Sequence, residues 1–296
     1  MKRDFLSLSD FSTEEHAALF RRAHELKEAR RRGEVVRTLD GRTLLLLFEK
    51  HSTRTRLSFE AAIGQLGGTA ITLPMQDSQI SRGESLADTG AVASRYVDAI
   101  MYRTFGDDRL RELARAATVP VINGLSDGGH PVQLLADLFT VEERLGSLRG
   151  KIVAWVGDGA SNMARSWVEA ARLFGFTLRI SAPEGFRPVR AGGFELVGDA
   201  RDAVRGADVV TTDVWISMGQ EKEAAARRKA FANYCVDDAL LGRAKPSAIL
   251  LHCLPAHRGE EITASVIDGP QSAVLDEAEN RLHVQKALLE ALILRP

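Results

Sequence analysis

The chain has 296 residues, of which 45% are hydrophobic and 27% charged, with a formal net charge of −1. That length asks for two domains, each large enough for its own core, and the near-zero charge gives no global case for nucleic-acid binding. No apolar run reaches the roughly 18 residues of a membrane span, and Met1-Lys2-Arg3-Asp4-Phe5 lacks the apolar core of an export signal.

In chain order, Ser12 to Arg32 has a helical pattern, capped by Ser12 or Thr13 and stopped by Gly33. The short run Arg30-Arg31-Arg32 reads as its solvated end. Thr43 to Phe48 is a continuous apolar run, which is how a strand buried on both faces of a parallel sheet reads. A helix is expected from about Thr53 to Leu66, stopped by Gly67-Gly68. Strands follow at Ala70 to Leu73, Ala99 to Tyr102 and Val119 to Ile122, then a helix from Pro131 to Leu145. After Gly146 and Gly150 the rhythm restarts. Lys151 to Val156 reads as a strand, Asn162 to Phe174 as a helix, and Thr177 to Ser181, Asp208 to Thr211 and Ala248 to Leu251 as strands. A long amphipathic helix covers Asp276 to Leu294. The alternation predicts an α/β fold of two domains, each a mostly parallel sheet flanked by helices. The expected division is 1–145, 146–275 and a C-terminal helix, 276–296, that returns to the first domain.

In open parallel sheets, ligands bind outside the carboxyl ends of the strands. Polar and charged residues gather at these ends: Ser52-Thr53-Arg54-Thr55-Arg56, Arg103-Thr104, Asn123-Gly124 leading to His130-Pro131-Val132-Gln133, Gly157 to Asn162, Asp213, and His252-Cys253-Leu254-Pro255. Such clustering predicts an active site in an interdomain cleft.

The first cluster carries the sharpest chemistry. A helix start bears orphan N–H donors and about half a positive charge, and so suits a phosphate. Arg54 adds a forked contact. The alternative is a plain hydroxyl cap, but two arginines in the first turn oppose the helix dipole unless an anion is bound. Gly157-Asp158-Gly159 invites a dinucleotide reading, which weakens because Asn162 stands at the third glycine position and an acid sits inside the turn. Asn162 is either a helix cap or a substrate contact. No zinc-type Cys or His spacing is present, so no metal is expected. Cys253 is either a reactive thiol or simple packing, and Cys235 reads as structural. Two cysteines make no disulfide framework, so a reducing, cytoplasmic setting is expected.

Ser52-Thr53-Arg54-Thr55-Arg56, Arg103, His130-Pro131-Val132-Gln133 and His252-Cys253-Leu254-Pro255 together resemble the signatures of the aspartate and ornithine carbamoyltransferases, in family order. Ser81-Arg82-Gly83-Glu84-Ser85 resembles the family's loop after the phosphate helix. Ser217-Met218-Gly219 after Asp213, and His252-Cys253-Leu254-Pro255, resemble the ornithine branch. Gly157 to Asn162 departs from the commoner Gly-Asp-Gly-Asn-Asn form but keeps the last Asn. The resemblance implies a carbamoyl-phosphate-binding first domain and an ornithine-binding second domain. Ser52, Thr53, Arg54 and Thr55 would hold the phosphate. Arg103, His130 and Gln133, with Thr55, would hold the carbamoyl group, and Arg281 would also contact carbamoyl phosphate. Gln79 would reach into a neighbouring subunit of a trimer or a multiple of one. Asn162, Asp213, Ser217 and Met218 would bind ornithine, with Cys253 and Leu254 beside the reacting amine.

The implied reaction gives citrulline and phosphate, in arginine biosynthesis or in the reverse catabolic direction, and needs no cofactor because carbamoyl phosphate is already activated. Arg103, His130 and Cys253 are the expected catalytic residues. The amine must react neutral, because a free alkylamine has a pKa of about 10. Alternatives are a carbamoyltransferase for putrescine or an N-acylornithine, and a non-catalytic relative.

Overall fold

The computed structural model of the chain describes residues 2–189 and 192–294. The chain forms two compact units, Met1–Leu135 with Asn280–Pro296, and Ala136–Glu279. The borders fall inside two long helices, whereas the sequence reading set them at 145/146 and 275/276. Met1, Arg295 and Pro296, at the ends of the expected ranges, lie outside the described residues.

The first unit holds a four-stranded parallel sheet of β1 (Thr43–Phe48), β2 (Thr69–Pro74), β3 (Ala99–Arg103) and β4 (Val121–Leu125), in the order β2-β1-β3-β4. Central strands β1 and β3 are apolar and buried along almost their whole length, as strands covered on both faces must be. Around them run α1 (Thr13–Arg31), α2 (Thr53–Gln65), α3 (Leu86–Ala93), α4 (Asp107–Ala116) and the first turn of α5 (Pro131–Leu145). Leu45, Leu47, Ile100 and Tyr102 pack with Leu86, Leu110 and Leu113. Each leucine-sized side chain so buried contributes about 1.5–3 kcal/mol before entropy is counted. Ser12 caps α1 in a reciprocal capping box with Glu15.

One expected strand is displaced. The fourth strand runs from Val121 to Leu125, so Asn123 and Gly124 lie within it instead of following it. Tyr102 pairs with Asn123 but Arg103 pairs with Leu125, a bulge that skips Gly124. A Cβ on Gly124 would stand 2.1 Å from Met101 Sδ, so glycine serves close packing there, not a turn.

The second unit holds β5 (Ile152–Val156), β6 (Thr177–Ser181), β7 (Glu195–Leu196), β8 (Val209–Thr212) and β9 (Ile249–His252), all parallel, in the order β7-β6-β5-β8-β9. Its helices are α6 (Asn162–Phe174), α7 (Ala200–Val204), α8 (Ala224–Phe231), α9 (Asp238–Leu241), α10 (Ala264–Ile267) and the start of α11 (Val274–Ile293). Ala154, Val156, Val210 and Leu250 of the sheet pack on Val204, Leu240 and Ile267.

In each sheet the chain leaves its starting strand in one direction, returns, and continues in the other. The switch falls between β1 and β3 in the first sheet and between β5 and β8 in the second. Ligands of open α/β sheets bind at such points, outside the carboxyl ends of the strands. Among the described residues no helix is long and apolar enough to cross a membrane.

Candidate active site

At the switch point of the first unit, Ser52 caps α2, its Oγ accepting the Thr55 N–H at 3.3 Å. Thr53 is exposed and Arg54 half-buried, and Thr55 is fully buried. Arg56 donates to Glu60 at 2.8 Å along the outside of the helix. Of the two first-turn arginines, only Arg54 stays without an ion pair among the described residues. The cap reading is met by Ser52, and Arg54 is left as the first-turn cation that an anion would answer.

Two more elements bring side chains to Thr55, and a third, α5, joins them through Arg281. Arg103, at the end of β3, reaches Thr55 Oγ1 with Nη1 at 3.5 Å. Arg281, on α11, donates Nη2 to the same oxygen and Nη1 to Gln133 Oε1, both at 2.9 Å. His130 and Gln133 stand at the start of α5, where Pro131 takes the first helical position with no loss of a hydrogen bond. Arg103, His130, Gln133 and Arg281 are all at most 6% exposed. Since Thr55 Oγ1 receives two guanidiniums, its own proton is what it has to offer an acceptor.

Burial and the charges of Arg281, Arg103 and Arg54 hold the His130 ring well below the usual histidine range. The imidazole is thus neutral at physiological pH, with one N–H to give. The group as a whole is a cluster of cations and neutral donors fitted to a small anion. Gln79 does not join it. That residue opens a 3₁₀ turn, Gln79–Arg82, and is exposed, with no side-chain hydrogen bond among the described residues.

In the second unit, the loops after β5, β8 and β9 carry the expected residues. Gly157 has φ +133°, a conformation that favours glycine, as β5 turns toward α6. Ser161 caps α6, accepting the Ala164 N–H at 3.2 Å, so Asn162 is the first helical residue and not the cap. The acid that spoiled the dinucleotide pattern has a structural use: Asp158 accepts the Ala160 N–H at 2.9 Å and pairs with Arg227. It places a fixed negative charge where a pyrophosphate would need donors.

Asp213 follows β8. Its Oδ1 accepts the Val214 N–H at 2.8 Å and the Cys253 thiol at 3.3 Å. Burial pushes the Asp213 carboxyl up, and burial with the nearby charges of Asp213, Glu277 and Asp137 pushes the Cys253 thiol well above its ordinary value. Cys253 is therefore a neutral thiol that donates to Asp213, without the cationic neighbour that makes a thiolate nucleophile. Ser217 is half-buried, its N–H donating to Gln220 Oε1 at 3.0 Å, and Met218 is 51% exposed.

The loop after β9 is held unusually. Leu254 is the one non-glycine with positive φ among the described residues, at +59°, and the Leu254-Pro255 bond is cis. His252 Nδ1 accepts the Leu254 N–H at 2.9 Å, its Nε2 faces Glu261 at 3.2 Å, and Glu277 accepts the His252 N–H at 2.8 Å. A left-handed φ at a leucine persists where surroundings over-determine it, and such places concentrate at functional sites. His252, Glu261 and Glu277 thus shape the loop that carries Cys253 and Leu254. The sequence reading quoted His252 in a motif but gave it no role.

Among the described residues two groups bring metal-type donor atoms together, Asp213 with His252 and Cys253, and His257 with Glu260 and Glu261. In the first, both His252 nitrogens are already engaged by Leu254 and Glu261, and the thiol is protonated. The second draws on Glu261, which accepts from His252 and from the His257 N–H. An ion in either place would displace bonds that shape the loop.

The carbamoyl-P binding domain of the aspartate/ornithine carbamoyltransferases matches residues 3–143, and their Asp/Orn binding domain matches residues 149–292. The ornithine carbamoyltransferase of Halorhodospira halophila is 55% identical over 99% of this chain and 99% of its own. That of Geobacter metallireducens is 51% identical over 99% of this chain and all of its own. The crystal structure of the Pyrococcus furiosus ornithine carbamoyltransferase superposes with a TM-score of 0.94 at 48% identity, covering 99% of this chain and 97% of that one. With both domains matched in order along nearly the whole sequence, the chain belongs to the aspartate/ornithine carbamoyltransferase family.

Proposed function

We propose that the protein transfers the carbamoyl group of carbamoyl phosphate to the δ-amine of L-ornithine, giving L-citrulline and phosphate. The observation that carries the reading is the Thr55 cluster, in which two buried guanidiniums meet one hydroxyl at a helix N-terminus, with a neutral imidazole in the field of the same guanidiniums. Ser52, Thr53, Arg54 and Thr55 take the phosphate, and Arg103, His130, Gln133 and Arg281 take the rest of carbamoyl phosphate.

Attack of the neutral amine on the carbonyl carbon makes a tetrahedral intermediate whose oxygen gains negative charge. Arg103, Thr55 and the His130 N–H stabilise that oxygen, and losing one such donor costs about 10²–10³ in rate. A neutral His130 suits this, because its N–H can donate without adding a further cation to Arg54, Arg103 and Arg281. The C–O bond to phosphate then breaks, the departing phosphate takes the proton that the attacking nitrogen sheds, and it leaves within the positive field of Arg54 and the α2 terminus. Carbamoyl phosphate is already activated, so the chain's own groups supply the chemistry.

Ornithine is assigned to the second unit, with Asn162, Asp213, Ser217 and Met218 holding its amino-acid end and Cys253 and Leu254 beside the δ-amine. Asn162 opens α6 at the exit of β5, where ligands of open α/β sheets bind, which supports its role as a substrate contact. Cys253 acts as a thiol donor that orients Asp213, not as a covalent nucleophile. The free amino-acid preference rests on the Ser217-Met218-Gly219 loop and sets putrescine and N-acylornithine aside.

The exposed Gln79 supports a trimer in which it completes a neighbour's carbamoyl-phosphate site. A cytoplasmic place in arginine metabolism accords with two free cysteines. The test is citrulline formation from carbamoyl phosphate with ornithine, putrescine, N-acetylornithine or aspartate, beside Arg54→Ala. Product with ornithine alone, lost in the variant, is expected; no product with any acceptor would overturn the reading.

A further inference from the structure

Arg103 must point its guanidinium at the developing oxyanion, yet the sheet is irregular on one side of it. The register to β4 shifts at Arg103, where the bulge skips Gly124. On the other side stands Glu49, the residue after β1, whose side chain is 5% exposed. Its backbone N–H donates to the Arg103 carbonyl at 2.9 Å. Its carboxylate accepts from the Tyr102 hydroxyl, from Thr104 Oγ1 at 2.6 Å and from Arg109 Nε at 2.9 Å. Tyr102 and Thr104 flank Arg103, and on a strand their side chains point to the face opposite to that of Arg103. One buried acid therefore grips the carbonyl of Arg103 and the side chains on both sides of it.

We propose that Glu49 is a positioning residue for carbamoyl transfer, fixing the direction of Arg103 by clamping Tyr102, the Arg103 carbonyl and Thr104 together. Bonds from Arg109, Thr104 and Tyr102 keep the Glu49 carboxyl below its ordinary value despite burial, so the clamp stays charged through the neutral range. Arg109 balances that charge on the solvent side. The proposal rests on the reading that Arg103 polarises the carbamoyl group.

The test is a double-mutant cycle on citrulline formation with Glu49→Gln, Arg103→Ala and both together, at saturating ornithine. Glu49→Gln should lower kcat by about 10–100-fold, as a misplaced catalytic group does, with the KM for ornithine within about twofold. In the Arg103→Ala background it should lower kcat no further, because the group it aims is gone. Tyr102→Phe, which removes one arm of the clamp, should show the same non-additivity with a smaller loss, and serves if Glu49→Gln does not fold. Additive losses, or an unchanged kcat in Glu49→Gln, would overturn the positioning role alone. Full activity in Arg103→Ala would overturn the reading of the site on which it depends.

Discussion

Arg281 donates to Thr55 Oγ1 at 2.9 Å although 226 residues separate them. Its other terminal nitrogen holds Gln133, so one side chain ties α11 to α2 and to the start of α5. A charge-assisted hydrogen bond contributes about 1.5–3 kcal/mol, which is about a 10–100-fold change in an equilibrium constant. Arg281→Met is therefore expected to weaken carbamoyl phosphate by about 10–100-fold. The KM for ornithine at saturating carbamoyl phosphate should move little. Calorimetric titration with carbamoyl phosphate, beside steady-state kinetics, reads both; unaltered affinity would remove Arg281 from the site.

His130 gives a pH prediction. Its pKa is depressed by burial and by three guanidiniums, Arg281, Arg103 and Arg54. In the unfolded chain the ring takes its proton near pH 6.5. Above that value both states carry a neutral ring and the group is silent. Below it the unfolded state binds the extra proton, so stability falls as pH drops from about 6.5 toward the folded pKa. Ring NMR of the free protein should place the His130 midpoint well below the ordinary histidine range. Bound phosphate, by partly cancelling the cations, should raise its pKa. A midpoint near 6.5 without phosphate would contradict the neutral-donor role.

How far the sequence reveals all this depends on how local each signal is. The Thr43–Phe48 strand was readable because burial on both faces leaves an unbroken apolar run. The exit of β4 was misplaced because Asn123-Gly124 has the composition of a turn, while its use as a bulge depends on Met101 across the sheet. The sequence reading passed over α3 and α4, which are short and interrupted by small or charged residues. Arg281 was reached through resemblance, since no local pattern marks an arginine whose partners lie so far away in the chain. Arg227 went unnoticed for the opposite reason: inside Arg227-Arg228-Lys229 it looks like one more solvated charge, yet it is 4% exposed.

Cys253 separates two chemistries. A thiol pushed well above its ordinary pKa is not a nucleophile at neutral pH, and a hydroxyl can make the same bond to Asp213. Cys253→Ser should therefore keep kcat within about tenfold of the parent and exceed Cys253→Ala, whereas removing a covalent nucleophile costs about 10⁴-fold or more. Alkylation by iodoacetamide at pH 7 should be slow, without protection by a burst of acyl intermediate. A loss in the serine variant as deep as in a nucleophile knockout would restore covalent catalysis.

Arg227 joins the two loops assigned to ornithine. It donates to the Asp158 carboxylate in the turn before Asn162, and to the Trp215 carbonyl two residues before Ser217. Its guanidinium lies 4.7 Å from the Phe186 ring centroid and 5.4 Å from that of Phe231. The planar fork makes both bonds while stacking, a combination that lysine cannot reproduce. Removing the cation leaves Asp158 buried without its partner, a loss of about 3–5 kcal/mol for a buried pair. Arg227→Met should thus lower the thermal midpoint by several degrees. Arg227→Lys, which keeps the charge, should remain folded and raise the KM for ornithine by about tenfold while carbamoyl phosphate affinity stays within about twofold. Equal weakening of both substrates in the lysine variant would mean that Arg227 supports the unit as a whole and not these two loops.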